Sequence, residues 1–307
     1  MTSIAIVIIN WKQSQLTQKT LDSLLKIKTP GFKYHVFLLN SQIAKKEHLD
    51  LKNKYQKAPI SFYHNNKNLG FTGANNFLLT KYKINDYDYT LFLNNDVKVD
   101  PNFLSNLLKE AEKNPSYGIL GPKTYFYPGY EYHKDRYQKS ELGRVIWSVG
   151  GHIDWKNIYG SNLGIDQVDT GQFDKINTNI DFISGCALLI KKELLLKLKG
   201  FDDRYYLYLE DADLCQRAKK LGYQLAYIPN SIIWHLNSGS SSAASNLHDY
   251  FITRNRILFA RKFSTLKIRL ALLKQSINIL FKSPSKWQKI AIKDAYLNIW
   301  NQGSWKN

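Results

Sequence analysis

Two amides and a carboxylate close an apolar segment of the chain. Asn94, Asn95 and Asp96 come directly after residues 87–93, which favour a buried strand. Ligands of open α/β sheets bind outside the carboxyl ends of the strands, and an Asp presented there can hold a divalent cation that neutralises phosphates. Asn-Asn-Asp is also common in turns. The motif alone therefore leaves a cation site and an ordinary turn open.

Three carboxylates fall within four residues later in the chain, at Glu210, Asp211 and Asp213. They follow the aromatic-rich run 205–209 and open a predicted helix, where acids interact favourably with the helix dipole. Carboxylates packed together raise one another's pKa, which is how a general base is tuned. Glu210 and Asp213 are three residues apart and share a helix face, whereas Asp211 points elsewhere. We expect one carboxylate to face a substrate while the others hold the structure, although a charged first turn would show the same pattern.

A polar loop and a histidine complete the candidates. Residues 65–76 form a Gly-containing loop that runs into a helix, where free backbone N–H groups and the helix dipole suit a phosphate. The loop is neither a Walker loop nor a Gly-x-Gly-x-x-Gly motif, and an ordinary strand–helix loop stays open as an explanation. His235 follows a strand and is either an ordinary buried histidine or a metal ligand that complements Asp96.

Alternating strands and helices position these candidates in the first part of the chain. Residues 4–9 form a continuous, largely β-branched run, which is typical of a buried parallel strand. The predicted strands are 4–9, 34–39, 60–63 and 87–93, and the predicted helices are 14–27, 49–56, 71–83 and 101–114. The last helix has Asp100 as its predicted N-cap and Pro101 at its first position. This alternation predicts a doubly wound or Rossmann-like α/β sheet.

The pattern changes after Pro122. Residues 125–174 are rich in Gly, Tyr, Trp and His with little periodicity, which predicts irregular strands and loops. The elements predicted beyond them are strands at 182–190 and 224–228, helices at 191–198 and 210–221, and a flexible connector at 238–245. We expect one domain over residues 1–245, divided into halves 1–122 and 123–245, followed by a helical tail over 246–307.

Composition limits the classes of protein. The 307 residues are 44% hydrophobic and 22% charged, which excludes a disordered chain, a collagen and a coiled coil. Two cysteines are too few for a disulfide scaffold and favour a reduced, cytoplasmic setting. The apolar run 4–9 is expected to be a strand rather than a signal peptide, and no apolar stretch approaches the roughly 20 residues of a membrane span. We expect a soluble or peripheral protein.

The net charge of +18 implies an anionic partner, which is a nucleic acid, a membrane surface or a phosphorylated small molecule. Residues 246–307 carry twelve Lys and Arg against two Asp, so this tail holds more than half of the excess. Its apolar stripe is flanked by basic residues and suits an anionic membrane surface, although a helix packed on the body would also fit. The stripe is Leu266, Leu270, Leu273, Ile277 and Leu280. No nucleic-acid-binding signature is present, so no nucleic acid partner is expected.

Together the motifs resemble the family 2 glycosyltransferases with the GT-A fold, especially their bacterial rhamnosyltransferase-like branch. The resemblance covers residues 4 to about 240 and leaves the tail outside. The matching segments, in chain order, are 7–11, 66–75, 91–97, 184–190, 200–202, 208–215, 222–223 and 234–235. It implies an α/β fold with a GT-A Rossmann-like mixed sheet flanked by helices, to which the tail adds a C-terminal basic helical extension.

The resemblance also implies an activity, the metal-dependent inverting transfer of a sugar from a nucleotide diphosphate sugar. Asp96 stands where the family's metal-binding motif ends, so it would hold Mg²⁺ or Mn²⁺, and His235 would complete that site. Asp211 matches the family's catalytic base, with Glu210 as its rival. The residues expected to bind the nucleotide-sugar are Asn10, Asn40, Asn68, Gly70, Asn75, Asn94, Asn95 and Asp96.

The donor and acceptor are expected by class. The family often carries Asp where this chain has Asn40, and an amide both donates and accepts, so a dTDP-sugar such as dTDP-rhamnose and a UDP-sugar both stay open. The acceptor would be a saccharide or lipid-linked oligosaccharide of a growing cell-surface polysaccharide, reached at the inner face of the cell membrane. The alternative is a catalytically inactive GT-A-like basic module that binds an anionic membrane or nucleic acid.

Overall fold

The computed structural model of the protein describes residues 1–236 and 245–306. The predicted connector 238–245 lies outside them except for Ser245, whose hydroxyl accepts a hydrogen bond from the His248 N–H and caps a helix. The strands of the described residues are β1 (Thr2–Trp11), β2 (Phe32–Ser41), β3 (Ile60–Asn65), β4 (Tyr89–Leu93), β5 (Val97–Val99), β6 (Tyr117–Phe126), β7 (Ile146–Ser148), β8 (Gly151–Asp154), β9 (Tyr159–Asn162), β10 (Ala187–Lys191) and β11 (Gln224–His235).

Helices cover both faces of the sheet and form the C-terminal part of the chain. The α-helices of the described residues are α1 (Ser14–Leu24), α2 (Lys45–Lys54), α3 (Gly70–Lys81), α4 (Phe103–Lys113), α5 (Lys192–Leu198), α6 (Glu210–Lys220), α7 (Asn246–Phe263), α8 (Leu266–Lys282) and α9 (Lys286–Tyr296). Every helix in the described residues is too short or too polar to cross a membrane.

The central sheet is mixed, with the order β3-β2-β1-β4-β10-β6-β11-β5 and with β7 paired to β6. Strands β3, β2, β1 and β4 run parallel, as the strand–helix alternation predicts. Strand β10 is antiparallel to both of its neighbours, and β5 is antiparallel to β11. Strands β8 and β9 form a separate hairpin. The carboxyl ends of β1 and β4 therefore meet at one edge, beside the chain that enters β10.

The alternating residues of β1 join two hydrophobic cores. Ile4, Ile6 and Ile8 pack in a core that includes α1 and α4, whereas Ala5 and Val7 pack in the opposite core, which includes α3 and α6. All five side chains are buried. A run that is apolar at every position is what a strand covered on both faces requires.

Several predicted boundaries are wrong. The strand predicted at 182–190 begins only at Ala187, and β11 continues to His235 through a register shift between Ile228 and Ile232. Strand β6 spans 117–126, where no strand is predicted. The helix predicted from Pro101 begins at Phe103, because the Asp100 carboxylate accepts the N–H of Asn102 at 2.8 Å within a preceding turn.

The helices of the tail differ in their packing. Helix α7 is an integral part of the body, because Tyr250, Phe251, Arg254 and Asn255 are all fully buried. Helix α8 is different: it keeps only Leu272 and Ser276 buried and exposes an apolar stripe to solvent. The exposed members of the stripe are Leu266, Leu270, Leu273, Ile277 and Phe281. Phe281 replaces Leu280 of the predicted stripe, since Leu280 packs towards α7 and α9.

Candidate active site

A cavity opens at the carboxyl ends of β1 and β4, where the strand order predicts a ligand site. Its polar wall comes from the loop before α3, the start of α3 and the turn after β4. Six predicted ligand-binding residues lie in this wall: Asn68, Gly70, Asn75, Asn94, Asn95 and Asp96. Ile9, Phe71, Phe92 and Leu93 supply apolar surface. We refer to it as the central cavity.

Asn10 and Asn40, also predicted to bind the nucleotide, do not line the central cavity. Both are fully buried, and the Asn10 side-chain amide donates to the Asn40 carbonyl oxygen at 2.7 Å. The Asn40 Nδ2 atom lies 2.8 Å from Nδ1 of His48. The two amides therefore tie the ends of β1 and β2 together, and the neighbouring Ser41 lies in the wall instead.

Asp96 and His235 are brought together by the pairing of β5 with β11. His235 Nε2 lies 3.2 Å from Asp96 Oδ1, and the backbone N–H of Leu236 donates to the Asp96 carbonyl at 2.8 Å. The His235 ring packs edge-on against Trp147, with centroids 4.5 Å apart. Its Nδ1 atom is buried and has no hydrogen-bond partner among the described residues. No cluster of three or more His, Cys, Asp or Glu side chains suited to a metal occurs in the described residues.

This pair suits a divalent cation. A carboxylate oxygen and a neutral imidazole nitrogen are both ordinary ligands of such ions, and the remaining positions would fall to diphosphate oxygens or water. The 3.2 Å between His235 Nε2 and Asp96 Oδ1 is a separation that two ligands of one cation can have, and the buried Nδ1 of His235 has no hydrogen-bond partner among the described residues. The residues present therefore fit a metal, with Asp96 the member that reaches the cavity wall.

The three carboxylates at the start of α6 have different environments. Asp213 is fully buried and forms ion pairs with Arg217, at 2.6 Å, and with Lys262 of α7. Its carboxylate therefore holds α6 to α7. Asp211 is half-buried and accepts hydrogen bonds from the backbone N–H of Gly185 at 2.9 Å and of Ala212 at 2.7 Å.

Burial raises the pKa of the Asp211 carboxyl above its usual value, against the backbone N–H groups that lower it. Glu210 is more deeply buried, and its Oε2 atom has no hydrogen-bond partner among the described residues. Burial, followed by the nearby charges of Asp211 and Asp213, raises the pKa of Glu210 well above the ordinary range. The start of α6 thus holds two carboxylates that take up protons readily.

Neither Glu210 nor Asp211 lines the central cavity, but Asp211 lies just behind its wall. A Cβ atom placed on Gly185 would be 3.3 Å from the Phe71 ring and 3.6 Å from Cβ of Asp211. Phe71 forms part of the wall. Gly185 therefore lies between a residue of the cavity wall and the Cβ atom of Asp211.

The C-terminal segment also contributes to the central cavity, which sequence reasoning missed. Leu247 of α7 and Trp305 lie in its wall, together with Tyr206 and Leu207 from the segment before α6. Trp305 packs on Trp287 with centroids 4.4 Å apart. The tryptophans of the tail were the available signal, but tryptophan also packs in protein cores and lies at membrane interfaces.

The sequence profile described as "Glycosyltransferase like family 2" matches residues 2–258. The chain belongs to this family. The match continues through most of α7, further than the motifs from which the resemblance was inferred. The GT-A fold and the rhamnosyltransferase-like branch expected from those motifs are confirmed.

Two curated relatives are rhamnosyltransferases. The N-acetylglucosaminyl-diphospho-decaprenol L-rhamnosyltransferase of Mycobacterium tuberculosis is 27% identical over 154 residues, which are 50% of this chain and 48% of the relative. The rhamnosyltransferase WbbL of Escherichia coli is 28% identical over 207 residues, covering 63% of this chain and 74% of the relative. The chain thus spans about half the length of the mycobacterial relative.

Two solved structures share the fold. GalNAc-T7, solved with UDP, GalNAc and Mn²⁺, superposes with a TM-score of 0.60 at 14% identity, covering 93% of this chain and 58% of that one. The mannosyltransferase PcManGT of Pyrobaculum calidifontis was solved with GDP-Man and Mn²⁺. It superposes with a TM-score of 0.55 at 12% identity, covering 96% of this chain and 86% of that one.

Proposed function

We propose that the protein is an inverting glycosyltransferase that moves rhamnose or a similar sugar from a nucleotide diphosphate sugar to a saccharide or lipid-linked oligosaccharide of a cell-surface polysaccharide. One observation carries the proposal. Asp96 lies in the wall of the central cavity and its carboxylate is 3.2 Å from His235, so a carboxylate that faces the strand-end cavity has a second candidate cation ligand beside it. Membership of the family and the rhamnosyltransferase relatives support the same reaction.

Asp96 and His235 would hold Mg²⁺ or Mn²⁺. When bound, the cation neutralises the diphosphate and makes it a better leaving group. Asn94 and Asn95 lie beside Asp96 in the cavity wall and can donate hydrogen bonds to phosphate oxygens. The nucleotide-sugars and Mn²⁺ named with the two solved structures support this assignment.

Asp211 would act as the general base. In an inverting transfer the acceptor hydroxyl attacks the anomeric carbon from the face opposite the leaving diphosphate, and its proton passes to the base, so no covalent intermediate is needed. Backbone N–H groups fix both Asp211 oxygens, and Asp211 is a more exposed residue than Glu210. Glu210 remains the rival, because burial and the neighbouring carboxylates raise its pKa and so make it a stronger proton acceptor.

The donor would carry a pyrimidine base, as dTDP-rhamnose or a UDP-sugar. Ser41 and Trp11 lie in the cavity wall at the ends of β2 and β1, where the nucleoside half would bind. The hydroxyl of Ser41 donates to the Lys67 carbonyl at 2.9 Å, which keeps its lone pairs available as acceptors for an imide N–H.

Helix α8 would place the enzyme on the inner face of the cell membrane. Its exposed apolar stripe lies among Lys267, Arg269, Lys274 and Lys282, and the helix contains no acidic residue. Such a face suits an anionic lipid surface. A membrane-bound acceptor agrees with the diphospho-decaprenol in the name of the mycobacterial relative.

The activity is tested by nucleotide release from dTDP-rhamnose and from UDP-sugars with Mg²⁺ or Mn²⁺ and a polyprenyl-diphosphate-linked sugar acceptor. We expect turnover by the wild type, loss of about 10²-fold or more in Asp96→Ala and in Asp211→Asn, and normal rates in the control Asp50→Asn. Asp50 is exposed on α2. Equal rates in all four proteins would refute the site assignment, and loss in Glu210→Gln but not in Asp211→Asn would transfer the role of base to Glu210.

Membrane docking is tested by sedimentation with vesicles that contain anionic lipid. Leu270→Glu and Leu273→Glu place charges in the exposed stripe of α8, so we expect both to reduce binding, whereas Leu196→Glu, at an exposed position on α5, should leave it unchanged. Undiminished binding by the two α8 variants would exclude this stripe as the membrane contact.

A further inference from the structure

The segment that leads into the candidate base has an unusual backbone. Tyr206, Tyr208 and Leu209 have φ angles of 66°, 71° and 67°, so three non-glycine residues out of four consecutive ones are left-handed. L-residues avoid this region because Cβ approaches the following carbonyl oxygen. Such a conformation persists only where the surrounding structure imposes it.

Asn255 of α7 binds three carbonyl oxygens of this segment with the two hydrogens of its side-chain amide, so one hydrogen is shared. Its Nδ2 atom donates to the carbonyl oxygens of Tyr205 at 2.9 Å, Leu207 at 2.7 Å and Tyr208 at 2.9 Å. The side chain is fully buried. One amide nitrogen thus gathers three carbonyls that a regular helix or strand would never turn towards a single point.

Arg254 orients that amide and adds two further bonds. Its Nε atom donates to Oδ1 of Asn255 at 3.1 Å, which turns Nδ2 of Asn255 towards the carbonyls. Its Nη2 atom donates to the carbonyls of Arg204 at 3.1 Å and Tyr205 at 2.9 Å. We call these two side chains of α7 the Arg254–Asn255 clamp.

The clamped segment touches both halves of the candidate site. The carbonyl of Tyr206 accepts hydrogen bonds from Phe71 N at 2.8 Å and Thr72 N at 3.3 Å, at the start of α3. The side chains of Tyr206 and Leu207 line the central cavity. On its other side the segment continues directly into α6, whose first two residues are Glu210 and Asp211.

We propose that Asn255 is a positioning residue for sugar transfer, acting with Arg254 to hold the left-handed segment and, through it, the start of α6 with Glu210 and Asp211. The inference rests on the proposed function, because it assigns the clamp to the geometry of that reaction. Asn255 touches neither the cavity nor the carboxylates. Its effect passes through the backbone segment that it binds. A small displacement of that segment would move the base away from the position that the reaction requires.

The test compares Asn255→Ser with a matched control on the same helix, Arg256→Gln. Arg256 is also buried and hydrogen-bonds a backbone carbonyl, but that carbonyl belongs to Asn157. Arg254→Lys is the second variant, because it keeps the charge and loses the Nε donor that orients Asn255. The measurements are kcat per folded molecule well below the melting temperature, and hydrogen–deuterium exchange of segments 70–72 and 203–213.

We expect Asn255→Ser to exchange faster in both segments and to lose about 10- to 100-fold in kcat, whereas Arg256→Gln loses melting temperature alone. Arg254→Lys should also exchange faster in both segments and lose kcat. Wild-type kcat in Asn255→Ser or in Arg254→Lys, or exchange in those segments no faster than in the control, would overturn the proposal. A wild type that transfers no sugar from any donor would refute the proposed function, while exchange would still report on the clamp.

Discussion

Replacement of Gly70 by alanine should disturb the central cavity in a way that the structure makes calculable. Gly70 has φ of +68°, and a Cβ atom there would lie 2.5 Å from the Tyr206 ring. That ring cannot retreat easily, because it is 4% exposed and stacks on Phe251 at a centroid distance of 5.0 Å. The substitution therefore combines backbone strain with a steric clash.

The expected loss can be separated into these two parts. A left-handed alanine costs about 1–2 kcal/mol, and forcing an extra carbon into a packed site costs about 1–3 kcal/mol, so Gly70→Ala should lose about 2–5 kcal/mol of the free energy of unfolding. Gly31 also has a positive φ, +76°, but a Cβ there would meet nothing within 4 Å. Gly31→Ala should therefore lose only about 1–2 kcal/mol.

Urea unfolding monitored by tryptophan fluorescence measures both variants. The difference between them isolates the contact with Tyr206, because the strain is common to both. We also expect Gly70→Ala to weaken binding of UDP or dTDP, since the ring that it displaces is part of the cavity wall. If the two variants lost equal stability, the close approach of Gly70 to Tyr206 would not be what requires glycine at this position.

Two further predictions concern ionisable side chains. The pKa of Glu210 is raised in the folded protein, so above the ordinary pKa of glutamate the folded protein keeps a proton that the unfolded chain has released. The free energy of unfolding therefore falls as the pH rises through this range, by at most about 1.4 kcal/mol per pH unit. Glu210→Gln should flatten this slope and be the more stable protein at pH 8 in urea unfolding; an unchanged slope would contradict the assignment. Lys262→Met leaves the buried carboxylate of Asp213 without one of its two cations, so it should lose about 3 kcal/mol of the free energy of unfolding. Lys267 is exposed on α8, so Lys267→Met should lose about 0.5 kcal/mol or less. Equal melting temperatures for the two lysine variants would show that the buried pair contributes nothing.

Much of the parallel half of the sheet follows from local pattern. The unbroken apolar run of β1 requires cover on both faces, and the helical periodicity after each early strand supplies that cover. The placement of Asn94–Asp96 at a strand end follows equally directly, since the run of apolar residues stops there. The order of the motifs along the chain was enough to indicate the family that the profile confirms.

Side-chain partners could not be derived in this way. Asn10 and Asn40 come at strand ends just as Asn94 does, yet they face each other and His48 rather than the cavity. Periodicity reports that a residue is buried, but the choice between a ligand and a neighbouring amide depends on which strands are adjacent and in which register. The 2.7 Å hydrogen bond between Asn10 and Asn40 forms because the two residues lie opposite each other on the paired strands β1 and β2.

Residues distant in the chain met only in the folded protein. Asp96 and His235 are joined because β11 passes through its register shift and ends beside β5. Local pattern along the chain was enough for the strand–helix order, the buried runs and the candidate chemistry of the carboxylates. The tertiary structure alone decided which of them pair and that α7 holds the segment before Asp211, because hydrogen bonds between distant elements depend on packing and leave no periodic trace in the sequence.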